Sequence, residues 1–591
     1  MEVTRTFDIL ARLKELYPKD DILAGKKEGK WITYSTDEYI EQAHRMAYAF
    51  LELGLQPGDK VITASHNCPQ WNFIDMGLSL AGLIHVPIYT TLSHEDYLHI
   101  IPHSDAKLIF LGGDSMVRKI TPILTELSDP PKIYTIDSVS GYQSVSDLSS
   151  LGASHQSKWE AQVEYNKEHT DPETVCTIIY TSGTTGVPKG VMLSHRALVF
   201  VFIGTAVQQV IDHRHKMLSF LPLCHIYERS MNYEFQYLGA STYYAENLGT
   251  ISNDLHDIKA DGFCSVPRVL EMMFQKLEAA GKDLHGFKRS IYSWAFRLAQ
   301  RYSYEGNPFW YDIKHYIADK LIYTKWREKL GGNQMLIVTG GSSIQPRIIR
   351  LFSAAKLYIY EGYGMTETAP VIAVNNPKDR IFKIGTVGKV MDGAEVKIAE
   401  DGEILTRGPL LMSGYYKDPE YTKEVVDEQG WFHTGDVGEF VEGIFLKITD
   451  RKKEIFKLSA GKYIAPQVIE NKLKESSFVE NVMVIGENQK VPSAIIVPNM
   501  VQVRAWANLI KLPYSSDAEL ITLPEVVRLM NMEVEKINQH LALHEQIRKP
   551  RLVLEDWTPQ NGFLSQTLKL KRSVISRHYA QLINEIYKGD M

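Results

Sequence analysis

Cysteine is scarce in this chain, and the four cysteines that it has lie far apart. None of them forms a CxxC pair or joins a His/Cys cluster with zinc spacing; they are Cys68, Cys176, Cys224 and Cys264. Sparse, scattered thiols are typical of a reducing compartment, and they argue against a disulfide framework or a structural metal ion.

An excess of basic charge is also missing. The chain has 65 basic and 71 acidic residues, mixed along its length, and a net charge of −6. A surface that binds nucleic acid needs a basic patch or stripe. We therefore expect no nucleic-acid partner.

Long apolar runs are absent as well. The longest uncharged stretch, residues 76–94, contains His85 and Pro87 and predicts a helix followed by a buried strand rather than a membrane span. The first 21 residues carry scattered acidic side chains and no uninterrupted apolar core, so they do not predict a secretory signal. We expect a cytoplasmic protein; a peripheral contact with the inner face of the membrane and a homodimer are left open.

The 591 residues exceed what one hydrophobic core usually organises. In the first half, short β-rich runs alternate with helical patterns, which indicates parallel sheets covered by helices. Residues 268–330 read as long helices, residues 385–446 as β-rich with Asp-Gly turns, and residues 449–457 as a charged hinge.

These patterns predict an α/β fold in two domains. The larger, residues 1–449, combines parallel-rich sheets and helices with a β-rich subdomain. A hinge at residues 450–456 leads to a smaller, mobile α+β domain at residues 457–591. The last helix, starting at Lys571, is expected to dock onto its own domain through one apolar face, which carries Ile575, Tyr579, Leu582, Ile583 and Ile586.

The segment "YTSGTTGVPKG", residues 180–190, follows a buried-looking strand and is rich in glycine and hydroxyl groups. Backbone N–H groups and hydroxyls in such a loop can hold phosphate oxygens. The Walker A pattern is absent, because Lys189 lies between Pro188 and Gly190 and no Ser or Thr follows it. The loop therefore predicts phosphate binding without a P-loop kinase or GTPase.

This loop is the first of seven motifs that follow one another along the chain: "YTSGTTGVPKGVMLSH" (180–195), "LPLCHIYER" (221–229), "VTGGSSIQP" (338–346), "YEGYGMTET" (360–368), "GWFHTGD" (430–436), "DRKKEIFKLSAGKYIAP" (450–466) and "NGFLSQTLKLKR" (561–572). In this order they resemble the motifs of the acyl-adenylate-forming (AMP-binding) superfamily. That superfamily includes acyl-CoA synthetases, luciferases and nonribosomal-peptide adenylation domains, and the last motif is similar to that of bacterial long-chain fatty acyl-CoA synthetases.

The resemblance implies the adenylate-forming fold and an ATP-dependent ligase. Such an enzyme activates a long-chain fatty acid as acyl-AMP, releases pyrophosphate and transfers the acyl group to the thiol of coenzyme A. The expected cofactors are ATP, Mg2+ and coenzyme A. The helical block at residues 268–330 resembles the insertion of the long-chain enzymes. Its aromatic residues predict either an acyl tunnel or a larger helical core; they are Tyr292, Trp294, Phe296, Tyr302, Phe309 and Trp310.

The resemblance also implies roles for individual residues. Lys569, His225 and Glu367 are the catalytic candidates, and Thr181 with Glu367 would ligate Mg2+. Tyr363 would face adenine, and Asp436 would bind the ribose hydroxyls with Arg451 beside it. The full set expected to bind nucleotide or coenzyme A is Thr181, Ser182, Gly183, Thr184, Thr185, Gly186, Lys189, Gly341, Ser342, Glu361, Gly362, Tyr363, Gly364, Thr366, Asp436, Arg451 and Lys457.

The chemistry explains the need for these residue types. A carboxylate that attacks the α-phosphate of ATP brings two anions together, so a cation such as Lys569 has to bridge them. After pyrophosphate leaves, the resemblance implies that the small domain rotates about residues 450–453. Lys569 then withdraws, and residues 457–462 line a channel for the thiol of coenzyme A.

Purely structural roles compete with these assignments. Asp436 can cap a turn, Glu367 can be a helix N-terminal acid, and Lys569 lies in a charged run with Lys571. The order of the motifs favours function, but "TLKLKR" leaves Lys571 as an alternative to Lys569. A related ligase that uses aryl acids or acyl carrier protein and a non-catalytic fatty-acid- or nucleotide-binding protein remain alternatives.

Overall fold

The structure is a computed structural model, and it describes residues 2–182, 187–247, 249–565 and 569–588. The elements of the first part are α1 (Asp8–Leu16), β1 (Leu23–Lys27), β2 (Lys30–Tyr34), α2 (Thr36–Glu52), β3 (Lys60–Ala64), α3 (Pro69–Leu80), β4 (Ile84–Pro87), α4 (His94–His103), β5 (Ala106–Leu111), α5 (Asp114–Leu124), β6 (Lys132–Thr135), α6 (Val145–Ser154), α7 (Gln156–His169), β7 (Val175–Ser182), β8 (Pro188–Ser194), α8 (His195–Ala206), β9 (Lys216–Ser219), α9 (Ile226–Tyr237), β10 (Ser241–Tyr244), α10 (Ile251–Ile258) and β11 (Gly262–Ser265).

The helical block and the β-rich part follow. They comprise α11 (Pro267–Lys282), α12 (Gly286–Ala299), α13 (Phe309–Ala318), a π-helical turn (Asp319–Tyr323), α14 (Thr324–Glu328), β12 (Met335–Thr339), α15 (Pro346–Ala354), β13 (Leu357–Tyr363), a 3-10 turn (Thr366–Thr368), β14 (Ala373–Val374), β15 (Lys389–Val390), β16 (Glu395–Ile398), β17 (Glu403–Arg407), β18 (Gly414–Tyr415), α16 (Pro419–Val425), β19 (Phe432–Val441) and β20 (Phe445–Arg451).

The C-terminal part has its own small sheet. Its elements are β21 (Phe456–Lys457), β22 (Tyr463–Ile464), α17 (Pro466–Leu473), β23 (Val479–Ile485), β24 (Ser493–Pro498), α18 (Met500–Leu509), α19 (Asp517–Leu520), α20 (Pro524–Asn538), β25 (Arg551–Leu552), α21 (Arg572–His578) and α22 (Ala580–Tyr587).

Two large sheets organise the N-terminal part. One has the strand order β18-β8-β7-β4-β3-β5-β6, and the other runs β16-β17-β19-β20-β15-β14-β13-β12-β11-β9-β10-β1-β2. Strands β3 to β7 pair in parallel with one another, and so do β9 to β13. The pairings of β7 with β8 and of β13 with β14, and those among β14 to β20, are antiparallel. In the C-terminal part, β23, β24 and β25 form a three-stranded sheet, and β21 and β22 form a hairpin.

The order of the elements agrees with the predicted two-part α/β architecture. Strand β20 extends through Asp450 and Arg451, so the first two residues of the predicted hinge belong to the N-terminal sheet. The predicted single C-terminal helix is wrong, because it divides at Tyr579 into α21 and α22. Its five apolar residues still pack in one cluster with β23 and β24.

The aromatic residues of the helical block have two different environments. Tyr292 belongs to the core, and Trp294, Phe296 and Tyr302 pack against it. Phe309 and Trp310 are each 71% exposed. The predicted tunnel or core is therefore wrong for Phe309 and Trp310. No helix in the described ranges is both long and apolar enough to span a bilayer.

A buried polar network holds helix α9 against α3 and β4. Arg229 and Tyr233 on α9 both donate to the Asp75 carboxylate, which also lies 2.7 Å from Nδ1 of His85. Because these charged and polar groups are fully buried, they are costly to leave unpaired. The network fixes the position of α9 and of His225, the residue that caps it.

Two further acids on α9 make stability depend on pH. Glu228 and Glu234 are each 1% exposed, and in the part of the chain that the structure describes one oxygen of each has no hydrogen-bond partner. Burial raises the pKa of both carboxyls to about 8. The folded chain thus retains protons that the unfolded chain releases above its lower pKa, so the free energy of unfolding falls as pH rises towards 8. The limiting slope is about 1.4 kcal/mol per pH unit and group.

We expect the Glu228→Gln/Glu234→Gln variant to lose less thermal stability between pH 6 and pH 8.5 than the unmodified chain, because glutamine resembles the protonated acid. Differential scanning fluorimetry across this range measures the effect. Glu160→Gln/Glu168→Gln, at two exposed positions of α7, is the matched control. Equal pH slopes in the buried variant and the unmodified chain would contradict the assignment.

Candidate active site

The predicted phosphate loop connects two antiparallel strands. Thr181 near the end of β7 pairs with Lys189 at the start of β8, and Ser182 ends β7. The predicted residues Gly183, Thr184, Thr185 and Gly186 lie outside the described residues.

Lys189 is held beside β18 and helix α16. Its Nζ lies 3.4 Å from Oδ2 of Asp418 and 2.9 Å from the centroid of the Tyr421 ring. Strand β18 pairs with β8 and carries Tyr415. The pairing of β8 with β18 therefore connects the phosphate loop to Tyr415, the hydrogen-bond partner of Glu367.

Glu367 lies in the 3-10 turn after β13. The hydroxyl of Tyr415 donates to its Oε1 at 2.8 Å, and Met412 N donates to its backbone oxygen at 2.9 Å. Thr366 beside it is buried. At Gly364 a Cβ atom would lie 1.8 Å from Pro370 O, so only glycine fits where the chain turns towards Glu367. The carboxylate is thereby held on a backbone that packs tightly.

Asp436 and Arg451 are neighbours across β19 and β20. Arg451 Nε lies 3.1 Å from Oδ1 of Asp436, and the hydroxyl of Tyr363 donates to Oδ2 at 2.8 Å. Asp436 is buried. The three predicted residues therefore form one cluster, in which the carboxylate presents hydrogen-bond acceptors beside an aromatic ring.

A cleft borders this cluster. Tyr363, Gly364, Gly362, Gly341 and His225 are among its lining residues. Two further predicted residues, Ser342 and Glu361, are next in sequence to the lining residues Gly341 and Gly362. Ser342 is exposed, whereas Glu361 is buried, accepts from Ile344 N at 3.4 Å and has its pKa raised to about 8 by burial.

His225 caps the N-terminus of helix α9. Its Nδ1 accepts a hydrogen bond from Tyr227 N at 3.1 Å. Burial lowers its pKa to about 4, and the charge of Lys569 acts in the same direction. The imidazole is therefore neutral near pH 7, and Nε2 carries the proton because Nδ1 is the acceptor.

Lys569 belongs to the C-terminal part but lies among the N-terminal residues. Burial and, to a smaller extent, the charge of the neighbouring Arg451 lower its pKa to about 8, against the opposing charges of Asp436, Glu454 and Glu367. Its backbone is held by Ser565, whose N–H donates to Lys569 O at 2.7 Å. Lys571 is exposed, so the structure brings Lys569, not Lys571, to the cluster.

Arg572 holds the segment that carries Lys569. Its Nε lies 2.8 Å from Oε2 of Glu454, and its Nη2 lies 2.5 Å from Oε2 of Glu470. Glu454 follows β20 closely, and Glu470 lies on α17. Two ion pairs thus connect the start of α21 to the predicted hinge segment and to helix α17 of the C-terminal part.

Among the predicted residues that the structure describes, Lys457 lies away from this cluster. It is exposed on β21, its backbone oxygen accepts from Asn488 N, and its Nζ lies 5.6 Å from the Tyr463 ring centroid. Tyr415, Asp418, Tyr421 and Arg572 also hold the site, and they are not among the residues predicted from the sequence. The segment "GYYKDPEY", with Asp418 and a proline at the start of α16, was a recognisable signal for the first three.

The donor set fits a magnesium ion that also binds phosphate. The hydrogen bond of Glu367 uses Oε1 and leaves Oε2 for a ligand bond, and the Thr181 hydroxyl lies at the end of the neighbouring hairpin strand. Within the described ranges no group of three or more His, Cys, Asp or Glu side chains is arranged to hold a metal ion. Mg2+ usually needs only one or two carboxylates when water and substrate phosphates complete its shell.

The fold and the two-part site define a class of adenylate-forming proteins. Residues 12–416 match the family described as AMP-binding enzyme, and residues 453–591 match its AMP-binding enzyme C-terminal domain. The chain belongs to the AMP-binding enzyme family. This result confirms the family resemblance predicted from the sequence.

Relatives of known name align over nearly the whole chain. A long-chain-fatty-acid–CoA ligase of Mycobacterium bovis, FadD15, is 32% identical over 95% of this chain and 94% of its own length. Long chain acyl-CoA synthetase 1 of Arabidopsis thaliana is 30% identical over 99% of this chain and 93% of its own length.

Solved structures share the fold. The adenylation domain of a carboxylate reductase from Mycobacterium chelonae has a TM-score of 0.72 at 20% identity, covering 99% of this chain and 91% of that domain. The anthranilate CoA ligase AuaEII, in complex with anthranoyl-AMP, has a TM-score of 0.70 at 17% identity, covering 99% of this chain and all of that one. The predicted fold class is therefore confirmed.

Proposed function

We propose that this chain is an AMP-forming long-chain fatty acid:CoA ligase. The observation that carries the proposal is the position of Lys569, which lies within electrostatic reach of Glu367 and Asp436 although it comes from the other part of the chain. Relatives at about 30% identity over almost the full length are named as long-chain ligases, and they supply the acyl class. Residues 1–449 would bind ATP and the acid, and residues 457–591 would close over them.

In the first half-reaction an oxygen of the fatty carboxylate attacks the α-phosphorus of ATP. The bond to pyrophosphate breaks, and pyrophosphate leaves with its electron pair. Asp436 and Arg451 would orient the ribose, Tyr363 would face adenine, and the hairpin with Lys189 would hold phosphate oxygens. Protonated Lys569 would offset the repulsion between the carboxylate and the phosphate.

Mg2+, when bound, neutralises phosphate charge, and Glu367 with Thr181 would be its protein ligands. These two side chains come from different elements, the turn after β13 and the end of β7. A correct position of the phosphate hairpin relative to Glu367 therefore depends on β18, which joins β8 and supplies Tyr415.

In the second half-reaction the sulfur of coenzyme A, after the thiol has lost its proton to solvent, attacks the acyl carbonyl carbon. The C–O bond to the phosphate breaks, and AMP leaves with its electron pair. For this step we propose that the C-terminal part rotates about residues 450–453, removes Lys569 and brings residues 457–462 to the cleft. The exposure of Lys457 in the present arrangement is consistent with a role in the other one. Closure also keeps water from the acyl-adenylate.

A substrate panel tests the proposal. Pyrophosphate release is measured with acids from short to very long chains and with aryl acids, offering coenzyme A and acyl carrier protein in separate reactions. We expect long-chain acids and coenzyme A to give the highest turnover. Turnover with neighbouring chain lengths should differ by no more than roughly 10- to 200-fold, because that is the discrimination that one methylene gives in an apolar pocket. Activity restricted to aryl acids or to carrier protein would contradict the proposal, and no pyrophosphate release with any acid would indicate a non-catalytic binding protein.

A further inference from the structure

The outer side of helix α13 and of the π-helical turn after it is apolar. Six large side chains there have exposed fractions between 40% and 71%: Phe309, Trp310, Ile313, Tyr316, Ile317 and Leu321. Their spacing of three and four residues places them along one side of the helix. Soluble chains rarely leave so many large apolar groups together in water without a binding partner.

The opposite side of this helix is firmly attached. His315 Nε2 lies 2.7 Å from Ala354 O, and the hydroxyl of Tyr311 donates to Leu298 O at 3.2 Å. Ala318 is fully buried, and Asp319 pairs with Lys356 at 3.1 Å. The apolar side is therefore presented to solvent by a helix that is fixed in place.

Basic residues accompany the apolar stripe. Lys314, Lys320 and Lys325 are exposed, and Lys320 Nζ lies 5.1 Å from the Tyr316 ring centroid. Residues 268–330 contain twelve basic and seven acidic residues, whereas the rest of the chain has 53 basic and 64 acidic residues. A local positive charge on an acidic chain favours an anionic partner.

We propose that the α13 face, defined as the six apolar residues above with Lys314, Lys320 and Lys325, docks onto anionic phospholipid bilayers. Aromatic rings are favoured at the level of lipid headgroups, and nearby lysines are attracted to anionic lipid. An apolar face combined with basic residues provides the two contributions that interfacial binding needs. With ten residues, α13 is far shorter than the roughly 20 that cross a bilayer, so it lies along the surface.

The α13 face is connected to the cleft through two neighbouring elements, so membrane docking could place the cleft near the bilayer. Helix α13 packs against the end of α15, which follows the loop with Gly341, and Lys356 begins the connection to β13, which ends at Tyr363. Both elements lead to the cleft. If the proposed function holds, the protein would meet its substrate where long-chain acids concentrate. The docking itself does not depend on that activity.

Sedimentation with liposomes tests the surface, using the full chain without ATP, acid or coenzyme A. We expect binding to vesicles of phosphatidylglycerol and phosphatidylcholine and much weaker binding to phosphatidylcholine alone. Trp310→Ser/Ile317→Ser and Lys314→Glu/Lys320→Glu should each lower the binding about tenfold or more. The matched controls are Leu509→Ser/Leu543→Ser, at two positions that are 80% exposed, and Lys27→Glu/Lys30→Glu, at two exposed lysines of β1 and β2.

Three outcomes would overturn the inference. They are no binding of the unmodified chain to anionic vesicles, equal loss in the control variants, and unchanged binding in both α13 variants. Size-exclusion chromatography with light scattering tests the alternative that a second copy of the chain covers the α13 face. If the chain is a dimer that Trp310→Ser/Ile317→Ser converts to a monomer, and vesicles do not bind, the face belongs to a second copy. Because all variants change exposed residues, unchanged thermal midpoints should verify that they fold.

Discussion

Replacing Lys569 by alanine is expected to abolish acid-dependent pyrophosphate release while thioester formation from supplied acyl-adenylate stays largely intact. The amine is the cation that the C-terminal part brings to Glu367 and Asp436, and only the first half-reaction brings two anions together there. Loss of such an electrostatic contact costs about 10²- to 10³-fold in rate. Pyrophosphate release and acyl-CoA formation from synthetic acyl-AMP measure the two halves separately.

Lys571→Ala is the matched control, since Lys571 is exposed two residues away and should leave both halves unchanged. The pKa of about 8 for Lys569 adds a second test. Because the charged amine is the active form, adenylation should decline as the pH rises above about 8, and Lys569→Arg should move this decline to higher pH. If Lys569→Ala lowers both half-reactions equally, a role of Lys569 that is confined to adenylation is wrong.

Replacing Glu367 by glutamine is expected to lower turnover about 10²-fold or more and to raise the Mg2+ concentration needed for half-maximal activity. The substitution keeps the shape and the hydrogen bond from Tyr415 but removes the negative charge that a hard cation prefers. Initial rates across a Mg2+ titration at saturating ATP measure the change.

Two variants control this experiment. Tyr415→Phe removes the hydroxyl that holds Oε1 and should have a smaller effect, because the carboxylate charge remains. Glu420→Gln changes an exposed acid on nearby α16 and should have none. An unchanged Mg2+ requirement in Glu367→Gln would show that this carboxylate is not a metal ligand.

The parallel strands were predictable from the sequence, whereas some turns and helix ends were not. Buried β-rich runs that alternate with amphipathic helices are compatible with few arrangements other than a parallel sheet. Strands β3, β5 and β12 lie where these runs predict them. Of the Asp-Gly pairs, Asp401-Gly402 forms the hairpin between β16 and β17, but Asp392-Gly393 connects strands that do not pair with each other. Turn chemistry is local, and strand pairing is decided by contacts distant in sequence.

The division of the last helix at Tyr579 has a similar cause. The apolar pattern continues through this residue, but its backbone leaves the helical conformation at φ −96° and ψ 21°. The Tyr579 ring packs against Trp557, Phe563 and His578. Packing against a distant segment therefore interrupts the helix although its apolar pattern continues. The apolar pattern of the helix alone does not indicate this interruption.

The motifs located most of the candidate site but not the contacts that hold it together. Their order predicted Glu367, Asp436 and Lys569, which the fold brings near one another from turns and strands far apart in sequence. The partners of Lys189 and the ion pairs of Arg572 depend on how α16, α17 and the hinge segment pack. Such distances are set by tertiary structure, so residue types alone do not reveal them.

The ion pairs of Arg572 with Glu454 and Glu470 have a consequence for the catalytic cycle. In the proposed rotation about residues 450–453, these ion pairs would move the segment that carries Lys569 together with the rest of the C-terminal part. Adenylation and thiol transfer would then exclude each other in time. A ligand or crosslink that immobilised the C-terminal part in the present arrangement would stop the reaction after adenylation, with the acyl-adenylate still enclosed.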